Sequence, residues 1–273
     1  MSNDTEKLTG KIYDDLIQPS AKAIGETVAL IPRAIKSALL PLEKWIANRE
    51  YACKDIRRLL EAKMSNVAAE NIVSPEPYIA VPAIQAISYC IDSEQLRNMF
   101  ANLLAVAMNS TIRDKAHPAF VEIIKQLSPL DAQILKGVFE RDGIELVKIR
   151  YQKKVPGCHL SDLPSLQRAC IPNISPVGET ILTHYTLFEN LDALPDTVAA
   201  SISNLERLGL IFTSYDSFKD GSESFYYELE NSSHVKTLIK KYPDTEVCEI
   251  ILILGYCAPT PFGIQFSEVC LTD

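Results

Sequence analysis

Glycine is scarce in this sequence, at 10 of 273 residues. Tight β-hairpins and nucleotide-binding turns depend on glycine, because other side chains obstruct the backbone conformations they require. The scarcity argues against an all-β protein and against a glycine-rich phosphate loop. The sequence also lacks the Gly-x-Ser-x-Gly, Gly-x-x-x-x-Gly-Lys and His-Glu-x-x-His motifs. We therefore expect no catalytic residue and no cofactor, and a non-enzymatic function is favoured over an enzyme with an unrecognised site.

Long apolar runs and paired cysteines are missing as well. No stretch reaches 18 uninterrupted apolar residues, so no conventional transmembrane helix is predicted. The N-terminus, Met1-Ser2-Asn3-Asp4, lacks the apolar core of a secretion signal. The seven cysteines are odd in number and form no Cys-x-x-Cys pair, which is typical of a reducing compartment. We expect a cytoplasmic protein, with a peripheral position on the inner membrane as the alternative.

Four residues form the one cluster that resembles a metal site: Cys158, His159, Cys170 and His184. Structural zinc sites present paired ligands two to four residues apart on a tight turn, whereas these residues are adjacent or far apart. We therefore predict buried thiols and solvated histidines here, and no bound metal.

The negative charge is unevenly distributed. Residues 1–128 carry equal numbers of basic and acidic side chains, so the whole excess of −8 falls in residues 129–273. Because phosphate binding requires clustered cations, nucleic acid is disfavoured as a partner of the second half.

The apolar spacing predicts a mainly α protein with two parts. Helical periodicity continues to about residue 141, with helices at 93–109 (Asp92 as the N-cap) and 129–141 (Pro129 as the first residue). Residues 1–142 are therefore predicted to form an all-helical domain. Residues 143–273 are predicted to form an α+β domain. Its first expected elements are a strand at 144–151, where apolar and polar residues alternate, a loop-rich stretch at 152–194, and a helix at 197–209 with Asp196 as the N-cap and Gly209 as the stop. Strands at 210–215 and 225–229, a helix at 233–241, a strand at 247–256 and a helix after Thr260 are expected to follow.

A helix followed by two strands around a polar turn is typical of a winged-helix module. The helix before the strands would then be the recognition helix, with Ser201, Asn204 and Arg207 among its polar positions. A recognition helix with one arginine and two acidic residues is poorly suited to contact the major groove of DNA. We therefore favour protein interaction for this module, with a DNA-binding regulator as the alternative.

The N-terminal stretch 19–48 has an apolar seam with steps of three and four residues. Such a seam packs on another helix or lies on an apolar surface. We expect the protein's own core or a homo-oligomer interface to bury this seam, with a protein partner or a membrane surface as the alternatives. The residues of this candidate face are Ile24, Val28, Ile31, Ile35, Leu42 and Trp45.

Several short motifs resemble the Abi-alpha family of bacterial abortive-infection proteins. The most specific runs from His117-Pro118-Ala119-Phe120 to Ser128-Pro129-Leu130-Asp131-Ala132. The others are Tyr13-Asp14-Asp15, Pro19-Ser20-Ala21-Lys22, Leu40-Pro41-Leu42-Glu43, Met99-Phe100-Ala101-Asn102-Leu103-Leu104, and Ser203-Asn204-Leu205-Glu206-Arg207-Leu208-Gly209.

The resemblance implies a biological role, resistance of a bacterium to phage, and provides no catalytic residues to map. We therefore expect a non-enzymatic component of phage defence that acts through a protein partner or a membrane surface.

Overall fold

The computed structural model describes residues 58–65, 67–87, 93–154, 175–188, 191–219 and 221–272. Residues 58–64 are helical, and two short 3-10 turns cover Ala69–Asn71 and Arg113–Lys115. The helices are α1 Pro77–Ile87, α2 Glu94–Ala107, α3 Ala119–Lys125, α4 Pro129–Glu140, α5 Pro195–Arg207, α6 Glu223–Asn231, α7 Ser233–Lys241 and α8 Pro261–Cys270. The strands are β1 Ile144–Lys153, β2 Gly178–Tyr185, β3 Ile211–Ser214 and β4 Cys248–Pro259.

The chain divides into two compact units, and the last helix contributes to both. Unit 1 contains residues 1–129 and 265–273, and unit 2 contains residues 130–264. The predicted boundary at residue 142 lies at the other end of α4, and whether residues 1–142 fold alone stays a prediction.

Unit 1 is built on helices that bury aromatic and aliphatic side chains. Helices α1, α2 and α3 pack pairwise against one another. At the centre the ring of Phe120 meets the ring of Phe266 edge to face, with 5.3 Å between centroids. Phe100, Phe120 and Phe266 have no exposed surface. This core consists of the apolar positions that recur at helical spacing in the sequence.

The buried side chain of Asn102 binds the C-terminal end of the chain within unit 1. Its side chain is 5% exposed, and its amide nitrogen donates to the carbonyls of Cys270 at 2.9 Å and Thr272 at 2.7 Å. A helix leaves its last carbonyls without partners, and this amide satisfies one of them.

Unit 2 contains an antiparallel sheet with the strand order β2-β1-β4-β3. The central pair is a ten-residue ladder from Ile144 opposite Cys257 to Lys153 opposite Cys248. One face of this pair carries Val147, Ile149, Leu252 and Leu254, which pack in one apolar cluster with side chains of α6 and α7. Helix α5 contacts both edge strands, β2 and β3, so the sheet is strongly curled.

Much of the predicted element order is confirmed. The helices at 93–109, 129–141, 197–209 and 233–241 and the strands at 144–151, 210–215 and 247–256 all occur, with ends shifted by a few residues. The predicted stop at Gly209 is also correct: it has φ +73° and follows the last turn of α5. The two caps were assigned to the wrong residues. Ser93, not Asp92, accepts from the N–H of Leu96, and Pro195 is the first residue of α5.

The predicted fold class is wrong. The protein is mixed α/β rather than mainly α, because unit 2 has a four-stranded sheet. It is not winged-helix-like either, because the expected second wing strand at 225–229 is part of helix α6. Tyr226 and Leu229, three residues apart, are buried on the sheet side of that helix, so packing overrides the strand preference of the aromatic residues.

Candidate functional site

At the C-terminal end of β2, two adjacent polar side chains point to different places in unit 2. Val147 of β1 lies opposite Tyr185, but Ile149 lies opposite Leu182, so β2 contains one extra residue here. This β-bulge places His184 in the left-handed region, at φ +53°. The Tyr185 ring packs in the apolar cluster of the sheet, whereas the His184 ring faces the chain just beyond β3, so the two side chains leave the bulge in different directions.

A tyrosine just beyond β3 holds the bulge in place. The Tyr215 hydroxyl accepts from the backbone N–H of His184 at 2.9 Å and is hydrogen-bonded to its Nδ1 at 3.0 Å. The Tyr215 ring passes over Gly255, where any Cβ would collide with it. Because Tyr215 follows one edge strand and His184 ends the other, this contact links the two edges of the curled sheet. We call it the edge latch.

Charged groups surround the edge latch. The Lys148 Nζ lies 3.9 Å from the centroid of the Tyr215 ring, a cation–π contact. Burial lowers the pKa of His184; Glu206 opposes this shift and Lys148 adds to it. Burial raises the pKa of Tyr215 well above its ordinary value. Both partners are therefore neutral near pH 7, and the arrangement suits a structural link better than acid–base chemistry.

Glu206, which lies on helix α5, also binds the free edge of β3. Its Oε1 accepts from the Thr213 N–H at 2.9 Å and from the Thr213 hydroxyl at 2.7 Å. A free strand edge invites pairing with another chain, and this carboxylate occupies one of its donors.

A pocket of about 440 Å³ lies within unit 2, on the side of the bulge that carries Tyr185. It is bounded by residues that follow β2 and by the first turns of α5 and α7. The lining residues are Tyr185, Thr186, Leu187, Phe188, Leu191, Ala193, Pro195, Val198, Ser233, His234 and Thr237.

Polar contacts fix one wall of this pocket. The Tyr185 hydroxyl donates to Ser232 Oγ at 2.9 Å, and the His234 ring stacks on the Tyr185 ring at 5.3 Å between centroids. Ser232 Oγ also accepts from the Val235 N–H and so caps α7. Thr186 is 7% exposed, and its hydroxyl has no hydrogen-bond partner among the described residues.

Unit 1 exposes an apolar surface at the start of α1. Helix α1 contains no charged residue, and its buried side carries Ile79, Ala83 and Ala86. On the other side Tyr78 is 59% exposed and Val81 is 37% exposed. Ile112 is 38% exposed, and the side chain of its neighbour Arg113 reaches within 3.9 Å of Glu76, the residue before α1. We call Tyr78, Val81 and Ile112 the α1 face.

The residues of the predicted recognition helix are engaged within unit 2. Ser201 is buried, at 7% exposure. The Asn204 amide donates to Asp131 of α4 at 3.0 Å, and its oxygen accepts from Arg207 at 2.8 Å. These contacts join α5 to α4, and the loss of the winged-helix fold removes the premise for reading DNA with this helix.

The other predicted residues fall mainly outside the described part of the chain. This applies to the seam residues Ile24, Val28, Ile31, Ile35, Leu42 and Trp45, and to Cys158, His159 and Cys170. The fourth member of the predicted cluster, His184, belongs to the edge latch. Within the described ranges no three His, Cys, Asp or Glu side chains are arranged to hold a metal ion.

The structure describes three of the cysteines, and one of them, Cys248, is half-buried. Cys257 and Cys270 are buried, and burial raises the pKa of the Cys257 thiol to about 12. A thiol with so high a pKa is a poor nucleophile. Among the helices of the described ranges, none combines the length and apolar character needed to cross a bilayer.

Neither the edge latch nor the pocket is visible in the sequence. Strand β2 lies in the stretch assigned to loop, because its flanks are rich in proline and glycine. The run Gly178-Glu179-Thr180-Ile181-Leu182-Thr183-His184-Tyr185 has β-branched and aromatic residues that favour a strand, and this is the signal that could have found it.

These features define a two-unit α/β protein with helical packing in one unit and a curled antiparallel sheet in the other. The sequence model of the abortive infection alpha family matches residues 48–270, well over half of the chain. The chain belongs to this family, so the predicted resemblance is confirmed, although the motifs before residue 48 lie outside the match. Membership indicates a role in abortive infection, a bacterial defence against phage. No curated protein and no solved structure matches the chain.

Proposed function

We propose that the protein contributes to phage defence by binding a protein partner through the α1 face, and that it does so without catalysing a reaction. One observation carries this proposal: Tyr78 and Val81 are exposed on a helix that has no charged side chain. Single exposed apolar residues are ordinary, but an uncharged helix with apolar residues on both sides is typical of an interface.

The composition of the α1 face favours a protein over a bilayer. Helices that lie on membranes usually carry Lys or Arg on their polar side, which attract anionic lipids. Helix α1 has neither residue. Its neighbourhood instead has a mixed rim, with Glu76 near Arg113 and an exposed tyrosine at the centre. Tyrosine at the centre and charge at the rim are common features of protein interfaces.

The test is a phage challenge of cells that carry the full chain or its variants. Tyr78→Glu with Val81→Glu places two carboxylates on the proposed contact. Neither side chain is in the core, so we expect a normal circular dichroism spectrum and thermal melt. We expect phage protection to fall to the level of cells without the gene, because a protein interface would have to bury the new charges. Tyr227→Glu, at a tyrosine of unit 2 that is 64% exposed, is the matched control and should protect fully.

Three results would count against this proposal. A folded Tyr78→Glu/Val81→Glu variant that protects as well as the original chain would exclude the α1 face. Loss of protection together with loss of lipid-vesicle binding, measured by co-sedimentation, would assign the face to a membrane instead. Protection lost equally with Tyr227→Glu would mean that any surface charge interferes.

A further inference from the structure

The pocket of unit 2 has the size of a ligand site, and its lining has an apolar wall and a polar end. Its volume of about 440 Å³ falls in the range of about 300–1,000 Å³ that is usual for small-molecule sites. Leu187, Phe188 and Val198 give it an apolar wall. We propose that this pocket binds a small organic anion, with a flat apolar body on that wall and an acidic group at the start of α7. This site is independent of the α1 face.

The first polar feature that a ligand would satisfy is the Thr186 hydroxyl. The residue lines the pocket and is 7% exposed, yet its Oγ1 has no hydrogen-bond partner among the described residues. Buried hydroxyl groups are almost always hydrogen-bonded, so one left over at a pocket wall points to a missing acceptor. A phosphate or carboxylate oxygen would be that acceptor.

The second polar feature is the N-terminus of α7, a helix of nine residues. The first N–H groups of a helix have no partner within it. Ser232 Oγ takes the N–H of Val235, which leaves the N–H groups of Ser233 and His234 for a ligand or solvent. Both residues line the pocket, and the helix dipole places partial positive charge there. The position therefore favours an anion.

The pocket wall is fixed before any ligand arrives. Buried Tyr185 donates to Ser232 and stacks on His234, so it holds both the cap of α7 and the imidazole in place. A preorganised wall lowers the entropic penalty of binding. The residues that line the pocket include one imidazole and no Lys or Arg, so one acidic group on the ligand suits the site better than several.

The test titrates the full chain with phenyl phosphate, which carries one phenyl ring and one phosphate. The chain has only four histidines, so ¹³C-histidine labelling reports His234 as one of four resonances. We expect a saturable shift of the His234 signal with no shift of His117, which lies in unit 1. Benzyl alcohol, which has the ring without the charge, should produce at least about tenfold weaker binding.

Two variants remove one proposed contact each and keep the fold. Thr186→Val removes a hydroxyl that makes no hydrogen bond with the described part of the chain, so stability should not fall. Ser233→Pro removes one N–H at the first helical position, where proline is accepted, and Ser232 already has the extended conformation (φ −61°, ψ 154°) that precedes proline. Each should weaken phenyl phosphate binding by about tenfold, the effect of one charge-assisted hydrogen bond. Ser233→Ala keeps the N–H and should bind like the original chain.

The proposal is overturned if phenyl phosphate leaves the His234 signal unmoved. It is also overturned if benzyl alcohol binds as well as phenyl phosphate, or if Thr186→Val and Ser233→Pro both bind it as tightly as the original chain. Because phage protection is not the readout, failure here leaves the proposal for the α1 face intact.

Discussion

The two units are stabilised by different means. In unit 1, three phenylalanine rings without exposed surface fill the space between helices, and the buried amide of Asn102 makes a long-range polar link. In unit 2, tyrosine hydroxyls join segments that are distant in sequence. Tyr226 donates to the Gly255 carbonyl at 2.7 Å, Tyr185 donates to Ser232, and Tyr215 forms the edge latch.

This difference follows from the geometry that each unit must stabilise. Regular helices satisfy their own backbone, so apolar side chains are sufficient to pack them together. A curled sheet with a bulge leaves backbone groups in irregular places, and a tyrosine can bury its ring while its hydroxyl satisfies such a group. Unit 1 should therefore respond most to lost volume, and unit 2 to lost hydroxyls.

Removal of residues 265–273 should have the largest effect, because it takes away a wall of unit 1. Phe266 and Val269 are at most 1% exposed, and the Asn102 amide would lose both its acceptors. We expect a loss of about 5 kcal/mol or more in the stability of unit 1. Hydrogen exchange by mass spectrometry should show lost protection in α1, α2 and α3. Removal of Asp273 alone is the control. Unchanged protection after the larger truncation would mean that residues 1–129 form their own core.

Phe120→Ala tests how far the packing of aromatic rings stabilises unit 1. The ring is fully buried against Phe266, so its removal should cost about 3–5 kcal/mol through lost burial and the cavity left behind. Hydrogen exchange of peptides from α2 and α3 measures this loss. Tyr78→Ala, at an exposed ring in the same unit, should change stability by less than about 0.5 kcal/mol. Equal effects of the two changes would refute the proposed role of ring packing.

Tyr215→Phe tests the role of hydroxyls in unit 2. The ring and its volume stay, but the N–H and Nδ1 of His184 lose their partner, which should cost about 1–3 kcal/mol. Hydrogen exchange of the β2 and β3 peptides is the measurement, because the edge latch joins these strands. The exposed Tyr227→Phe is the matched control. A neutral Tyr215→Phe would show that the ring alone maintains the latch.

The smallest effect is a pH dependence that originates at His184. Burial lowers its pKa in the folded protein below the ordinary value of 6.5. Its contribution to stability is therefore complete above about pH 6.5 and is lost as pH falls toward the folded pKa, by at most about 1.4 kcal/mol per pH unit. His184→Asn removes the titration and tolerates the left-handed backbone. Urea unfolding between pH 7 and pH 5 should give a flatter profile for this variant. An identical profile would assign the dependence to other groups.

The sequence predicted elements whose signals are local. Gly209, the Pro129 helix start and the alternation in residues 144–151 each act through the backbone of a few neighbours, and each led to a correct element. Helix α6 was missed because Phe225, Tyr226 and Tyr227 favour strands, and only the long-range core shows which of them is buried. The missed helix removes the predicted wing, and the fold class is also wrong because strand β2 was assigned to loop.

The candidate site could not be predicted in the same way. The edge latch joins His184 to Tyr215 across 31 residues, and the pocket depends on β2, α5 and α7 meeting in space. No spacing rule connects Thr186 with Ser233, since their neighbourhood is created by the curled sheet. The α1 face was accessible in principle, because an eleven-residue helix without charge is visible in the sequence.

Unit 1 is formed by two separate stretches of the chain, and this has a consequence for folding during synthesis. Residues 130–264 are synthesised after the first part of unit 1 and before the segment that contains Phe266. At about 5–20 residues per second, a ribosome needs roughly 7–27 s for this interval. Throughout it the apolar sides of α2 and α3 lack the ring that Phe120 packs against, and in unit 2 only β1 and β2 can pair until β4 is made. Both units are therefore completed only by the last residues to be synthesised, and chaperones have a period in which to bind the exposed helices of unit 1.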